Sequence, residues 1–267
     1  MTAKGTDRSR DRVQSIERGI AVLHAFDARN GQLSTSDIAA QVGLPRPVVR
    51  RILLTFEHLG YVRGFKGLWD LTPRILELGA AYFADSSLPV LARAAMGDVV
   101  ETLRETCSLG VLSGTAVIHV ARVEDHRPLP GSVQVGMSLP AVATAVGKVL
   151  LAGLSASALE ICLAAVDWEP HTAHTIPDAA AMRDRLALVR QQGYDVSIEE
   201  LNPGMVAAAV PIVINGATVA ALAVSSTTFR QDESSLTRDA VPVLRAAADR
   251  IARGYLAANP HLYGAHD

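Results

Sequence analysis

Cysteine is nearly absent from this chain of 267 residues. Its two cysteines, Cys107 and Cys162, stand 55 positions apart, and neither sits in a Cys or Cys/His cluster. That pattern excludes a disulfide framework and a structural zinc site, and it suits a cytoplasmic protein with reduced thiols. Long apolar runs are also missing. Nothing approaches the roughly 18 residues of a membrane span. Stretches such as Val206 to Ile214 are of strand length and end at Asn215-Gly216. Met1 to Arg12 is polar and charged, without the apolar centre of a secretory leader, so no membrane partner is expected. Internal repeats and low-complexity tracts are absent.

Signatures of chemistry are equally scarce. There is no Gly-x-Ser-x-Gly elbow. Gly147-Lys148 ends like a phosphate-binding loop, but Val142 stands where the first glycine belongs and Val149 replaces the Ser/Thr. His171 and His174 have a metal-like spacing without an acidic or thiol partner, and they read as solvated loop residues. Cys107 lacks a fixed histidine base and reads as a small buried residue. The expectation is therefore no catalytic residue, no metal, no cofactor and no enzyme activity.

What is present is ample apolar material, 49% hydrophobic residues against 19% charged, enough for one large domain or two ordinary ones. The net charge of -2 hides an asymmetry: residues 1–70 hold eleven Lys/Arg against seven acids, a net +4, which leaves -6 on the remainder. A basic end on an acidic body suits a polyanion partner for that end alone.

Periodicity fills in the elements. Ser15 to Asp27 reads as a helix capped by Ser15 and closed by Asn30-Gly31. A second helix spans Ser34 to Val42, with Ser34 as N-cap and Asp37 three residues on. After Gly43-Leu44, a third begins at Pro45 and runs to Leu59, with Val49, Ile52, Leu53 and Phe56 inward. Tyr61 to Arg63 and Leu68 to Leu71 flank a polar turn, Gly64 to Gly67, and form a β-wing. This order is that of a winged helix-turn-helix. In it Arg46 and Arg50 fall one turn apart, opposite the apolar stripe, and are the candidate base readers of a double-stranded DNA operator. Pro47 lies beside them. Arg51, with Ser34, Thr35 and Ser36, is a candidate phosphate contact, and Arg63 and Lys66 at the wing are candidates for the backbone or the minor groove. One such module reads few base pairs, so a homodimer or larger homo-oligomer is expected.

Pro73 to Asp85 reads as an amphipathic linker helix, and residues 90–106 as the helix opening a second domain. Beyond it strands are expected at 108–113, 115–124, 132–137, 194–200, 206–214 and 218–225. Helices are expected at 141–152, 155–164, 178–192 and 236–257. The sheet is expected to be mostly antiparallel, with a hairpin at Asn215-Gly216. The class is α+β.

Within the second domain, Gly136-Met137-Ser138-Leu139-Pro140-Ala141-Val142-Ala143-Thr144-Ala145-Val146-Gly147-Lys148 resembles the G-x-x-x-P-x-x-x-T-A-x-G-K stretch of the IclR family of bacterial transcription regulators. Leu44-Pro45 to Leu53, Leu59 to Val62, Gly193-Tyr194, Glu199-Glu200-Leu201, Gly204, Ala209 to Pro211 and Ala220 to Ser225 follow in family order, so the resemblance spans residues 13 to about 258. It implies a winged helix-turn-helix at 13–72, a linker helix at 73–87 and a GAF-like effector-binding and oligomerisation domain at 88–258, in dimers or tetramers. It further implies a small-molecule effector held by Thr144, Ala145 and Val146 at a helix start, Ser225 through its hydroxyl, and Met137 as an apolar wall. Ser197 and Ala207 stand where relatives often carry Asp and Cys, which points away from a small oxo-acid and toward a larger, more apolar ligand. Pro47 and Val48 replace the hydroxyl pair usual early in the recognition helix. Glu200-Leu201-Asn202-Pro203-Gly204 is similar to the E-L-x-P-G of regulators of protocatechuate and β-ketoadipate catabolism, so an aromatic-acid effector is implied. A ligand-independent DNA-binding protein and a hydrolase-like enzyme fused to a DNA module remain the alternative readings.

Overall fold

A helix with one apolar face needs a partner to cover it, and in the N-terminal third three short helices cover one another. This computed structural model describes residues 12–26, 31–83, 87–126 and 133–260, and its chain divides into two units, Met1–Tyr82 and Phe83–Asp267. In the first unit, α1 (Gln14–His24), α2 (Thr35–Val42) and α3 (Arg46–His58) bury Val22, Ile38, Val49 and Leu53 completely. Ser34 caps α2 in a reciprocal box with Asp37, as its sequence predicts. Ser15 does not cap α1: the N-cap is Val13, and Ser15 lies inside the first turn. Asn30, the expected terminator of α1, lies outside the described residues; the helix ends at His24.

Three strands complete the unit: β1 (Leu33–Ser34), β2 (Val62–Phe65) and β3 (Leu68–Leu71), in the order β1-β3-β2. The wing turn is tighter than expected. Gly64 and Phe65 belong to β2, and only Lys66 and Gly67 turn, at φ 51° and 84°. Two consecutive positive φ angles match the right-handed twist of the flanking strands. Strand β1, which sequence reading missed because it is two residues long, adds Leu33 opposite Trp69. The expected linker helix is a 3₁₀ helix over Pro73–Phe83 instead of an α-helix. Residues 84–86 lie outside the described residues.

The second unit is a six-stranded antiparallel sheet with helices on both faces. Helix α4 (Leu88–Leu103) leads into β4 (Thr106–Ser113) and β5 (Ala116–Val123). The third strand is β6 (Ser138–Pro140), not 132–137: residues 133–137 form a loop tied to β5 through the amide of His119, which donates to the Met137 carbonyl at 3.0 Å, and Ser132 lies outside the described residues. The small-residue helix expected from 141 also starts later. Ala141–Ala143 is one 3₁₀ turn, Thr144 resets the backbone to extended, and α5 runs over Ala145–Ala152. Helices α6 (Ala156–Ala164) and α7 (Ala179–Gln192) precede β7 (Asp195–Ile198), β8 (Met205–Ile214) and β9 (Ala217–Thr227), the last two joined at Asn215-Gly216 as expected. A short α8 (Glu233–Ser235) and a π turn (Leu236–Ala240) continue into α9 (Val241–Ala258).

Strand order is β6-β5-β4-β9-β8-β7. Helices α4 and α9 cover one face, where Met96, Leu109, Leu222 and Leu244 are fully buried; α5 and α7 cover the other, with Leu151, Met182 and Leu186. Each such side chain contributes about 2 kcal/mol by leaving water, so two separate apolar layers hold the sheet between them.

Candidate functional site

Of the nine candidate DNA contacts, Ser34 caps α2 from the end of β1, and the other eight fall on α2, α3 and the wing. Arg46 and Arg50 are exposed, one turn apart at the start of α3, while Val49 and Leu53 on the other side are buried. Pro47 occupies the first turn, where a missing N–H costs nothing. Arg51 is exposed toward the α1 side of the same helix. Several of the expected contacts already have structural partners. The Ser34 hydroxyl accepts from the Asp37 amide at 3.2 Å and donates to its carboxylate at 2.6 Å; that donation, with the Ser34 amide's at 3.0 Å, holds Asp37 below the ordinary carboxylate range. The Thr35 hydroxyl accepts the Trp69 indole N–H at 3.0 Å. Arg63 meets Asp70 across the wing in a two-pronged pair, Nε to Oδ1 at 2.9 Å and Nη2 to Oδ2 at 2.8 Å. Ser36 is half-buried, and the Lys66 ammonium lies 5.2 Å from the Phe65 ring centre at the wing tip. The wing is tied to α3 by the Gly64 amide, which donates to Glu57 at 3.1 Å.

A cavity of about 700 Å³, its mouth included, opens in the second unit between the start of α5 and the sheet. Thr144, Ala145, Val146, Ser197, Ala207 and Ser225 all line it; Met137 does not, because its sulfur instead accepts the Gln134 amide at 3.1 Å in the loop before β6. The register explains the grouping. Ser197 pairs with Ala207, and Ala207 with Ser225, so three residues far apart in sequence form one row across β7, β8 and β9. Thr144 caps α5 by accepting the Gly147 amide at 3.1 Å. The first-turn amides of Ala145 and Val146 precede the helical ladder and sit at the positive end of the helix dipole, an arrangement that favours an anion.

Five polar residues of the cavity wall were not among the expected effector contacts: Ser108, His119, Arg122, Glu200 and Asn202. The β4–β5 register shifts between Leu109 and Gly110, so Leu109 faces Ala121 and Gly110 faces His119, with Val120 bulged out. A bulge re-aims side chains. Here it puts His119 and Arg122, three positions apart, on the same cavity wall, which strict alternation forbids. His119 is 5% exposed, and neither ring nitrogen has a partner among the described residues. Burial, reinforced by the charge of Arg122, lowers its pKa to about 4, so the ring is neutral near pH 7.

Lys148, whose motif is not that of a phosphate loop, is 0% exposed. Its ammonium lies 3.1 Å from Asp195 Oδ2 and bonds Glu200 Oε1. Arg185 adds bonds of 2.7 Å to Asp195 Oδ1 and to the Val196 carbonyl. Two cations face two carboxylates, the condition under which buried charge is tolerated. Glu200 is further fixed through its backbone, since the Thr175 hydroxyl donates to its carbonyl at 2.7 Å. No group of histidine, cysteine and acidic residues among the described residues can hold a metal ion, and no single helix there is long and apolar enough to cross a membrane. Cys107 is buried, which pushes its thiol pKa up and suppresses the thiolate.

A basic recognition helix with a wing, followed by a sheet unit that holds a largely apolar cavity with several polar groups in its wall, defines a DNA-binding regulator with a small-molecule sensor. Comparison with known proteins gives the family. Residues 15–64 match the IclR helix-turn-helix domain, and residues 80–253 match the bacterial transcriptional regulator IclR C-terminal family. The chain belongs to the IclR family of transcriptional regulators. It is 32% identical over 240 residues to the Pca regulon regulatory protein of Pseudomonas putida, covering 89% of this chain and 82% of that one. It is 31% identical to the p-hydroxybenzoate hydroxylase transcriptional activator of Acinetobacter baylyi, covering 91% and 92% respectively. Among solved structures, an IclR homolog of Microbacterium hydrocarbonoxydans complexed with 4-hydroxybenzoate superposes with a TM-score of 0.77 at 26% identity, covering 91% of this chain and 99% of that one. The protein is thus a transcription regulator controlled by an effector, with DNA and a small molecule as its partners, and it is not an enzyme.

Proposed function

We propose that this regulator senses an aromatic carboxylate in the cavity beside α5 and controls genes of aromatic-acid catabolism. The observation that carries the reading is the meeting of anion-favouring groups with apolar walls in one enclosed space. The α5 first turn offers donors and Arg122, whose Nε is bonded to Glu124 at 2.9 Å, adds positive charge, while Val133, Leu139 and Met205 offer apolar surface for a ring. Thr144, Ala145, Val146, Ser197, Ala207 and Ser225 complete the binding set. The names of two relatives and the 4-hydroxybenzoate bound by a third support the same chemical class.

At the other end, Arg46 and Arg50 read base edges in a major groove, while Arg51, Lys66 and the wing contact the backbone, with residues 13–72 as the reading unit and 73–87 as the linker. The protein acts in the cytoplasm as a homodimer or tetramer, since one three-helix module covers too few base pairs for useful specificity. Effector and operator are linked: whatever the effector does to operator affinity, the operator does to effector affinity by the same factor.

The test is a melting scan of the full chain with benzoate, 4-hydroxybenzoate and 3,4-dihydroxybenzoate, followed by gel-shift titration on the DNA upstream of its own gene. A ligand that binds the folded state raises the melting point, and the effector shifts the DNA midpoint. If no aromatic acid changes either quantity, the reading is wrong.

A further inference from the structure

Two buried polar groups on the cavity wall have no partner among the described residues: both nitrogens of His119, and Oε2 of Glu200. Buried polar groups are nearly always satisfied, and one left open is a standing cost that a suitable ligand group relieves. The two differ in kind from the donors at the α5 start. Glu200 is a carboxylate whose other oxygen is taken by Lys148, so its free oxygen only accepts. A neutral His119 carries one donor and one acceptor. A carboxylate cannot satisfy Glu200, because two like charges would meet. A group that donates as well as accepts satisfies both residues.

The Glu200 geometry is built. Lys148 fixes one carboxylate oxygen, the Thr175 hydroxyl fixes the residue's carbonyl, and Thr172 holds the carbonyl of Glu199 at 2.7 Å. His119 is likewise set by the bulge at Val120 and by backbone bonds on both sides, its amide to Met137 and its carbonyl from Gly136 at 2.8 Å.

We propose that Glu200, held by Lys148, and His119 read a hydroxyl on the effector, so that the cavity selects hydroxylated aromatic carboxylates over their deoxy analogues. The proposal rests on the effector reading above and names the residues that set its specificity. A site that hydrogen-bonds a ligand hydroxyl discriminates strongly against the analogue lacking it, because its own polar groups are then left open.

The experiment is calorimetric titration of the full chain with benzoate and with 2-, 3- and 4-hydroxybenzoate, on the wild type and on His119→Leu and Glu200→Gln. Both substitutions are near-isosteric, and the side-chain amide introduced by Glu200→Gln still offers Lys148 a carbonyl acceptor; melting curves verify that each variant is folded. The expected result is that at least one hydroxybenzoate binds the wild type about tenfold or more tighter than benzoate, the worth of one satisfied buried group. Each substitution lowers the ratio of hydroxybenzoate to benzoate affinity to within roughly threefold, because the variant lacks the group that the hydroxyl satisfies. Equal binding of benzoate and all three hydroxybenzoates by the wild type overturns the proposal and leaves the effector reading standing. A preference that survives both substitutions also overturns it. If no acid binds, benzoate included, the effector reading falls and the proposal falls with it.

Discussion

A Cβ built on Gly147 would lie 2.0 Å from the carbonyl oxygen of Ala141. The contact is backbone against backbone, so no side-chain rotation relieves it, and it locks the first turn of α5 onto the 3₁₀ turn beside the cavity. Gly147→Ala is expected to destabilise the protein by about 3 kcal/mol, at the upper end of overpacking costs. A thermal melt of the variant should show the loss, and an unchanged melting point would refute the close approach.

Lys148→Met leaves Asp195 and Glu200 buried without their shared cation. Removing one side of a buried ion pair costs about 3–5 kcal/mol, even where replacing the whole set would be neutral. Urea titration measures this directly, and a loss under about 1 kcal/mol would show that the network is dispensable.

The buried His119 makes stability depend on pH. Its folded pKa is lowered to about 4, below that of the unfolded chain, mainly by burial. The unfolded state therefore binds the proton first. Stability is undiminished above about pH 6.5 and falls as pH drops toward 4, by about 3 kcal/mol in all. His119→Leu should flatten that part of the stability curve; identical pH curves for wild type and variant would contradict the assignment.

At the DNA end, Arg46→Ala and Arg50→Ala should each weaken operator binding by about 1–3 kcal/mol in gel-shift titration. Two unchanged midpoints would overturn the recognition-helix assignment.

The Arg63–Asp70 pair sets a different expectation for the wing. Because the carboxylate occupies the guanidinium, Asp70→Asn should release Arg63 toward phosphate. Binding to non-specific DNA should then tighten and its dependence on salt steepen by about one unit of slope. A decrease in affinity would mean that the pair positions Arg63 for contact.

Much of this molecule follows from short-range pattern. The α2 cap, the apolar stripe of α3 and the hairpin at Asn215-Gly216 are local physics: a hydroxyl beside free amides, a 3.6-residue period, two residues that tolerate positive φ. They place the recognition arginines opposite a buried face from sequence alone. Thr144 as the start of a cavity-lining helix was legible through the family's motif, although the extended break that it makes was not.

Tertiary structure decided the rest. Whether Ser197, Ala207 and Ser225 share a row depends on strand register, which is set by pairing over long sequence separation. His119 and Arg122 reach the cavity together only because one residue bulges between them, and a bulge leaves no mark in hydrophobic alternation. The partners of Lys148, Asp195 and Glu200, are brought to it by the fold from 47 and 52 positions away. The sequence by itself determined most of the element order and the placing of Arg46 and Arg50 opposite a buried stripe, because those rest on neighbours in the chain. The polar interior of the cavity was decided by the tertiary structure, because burial and charge pairing exist only once distant segments meet.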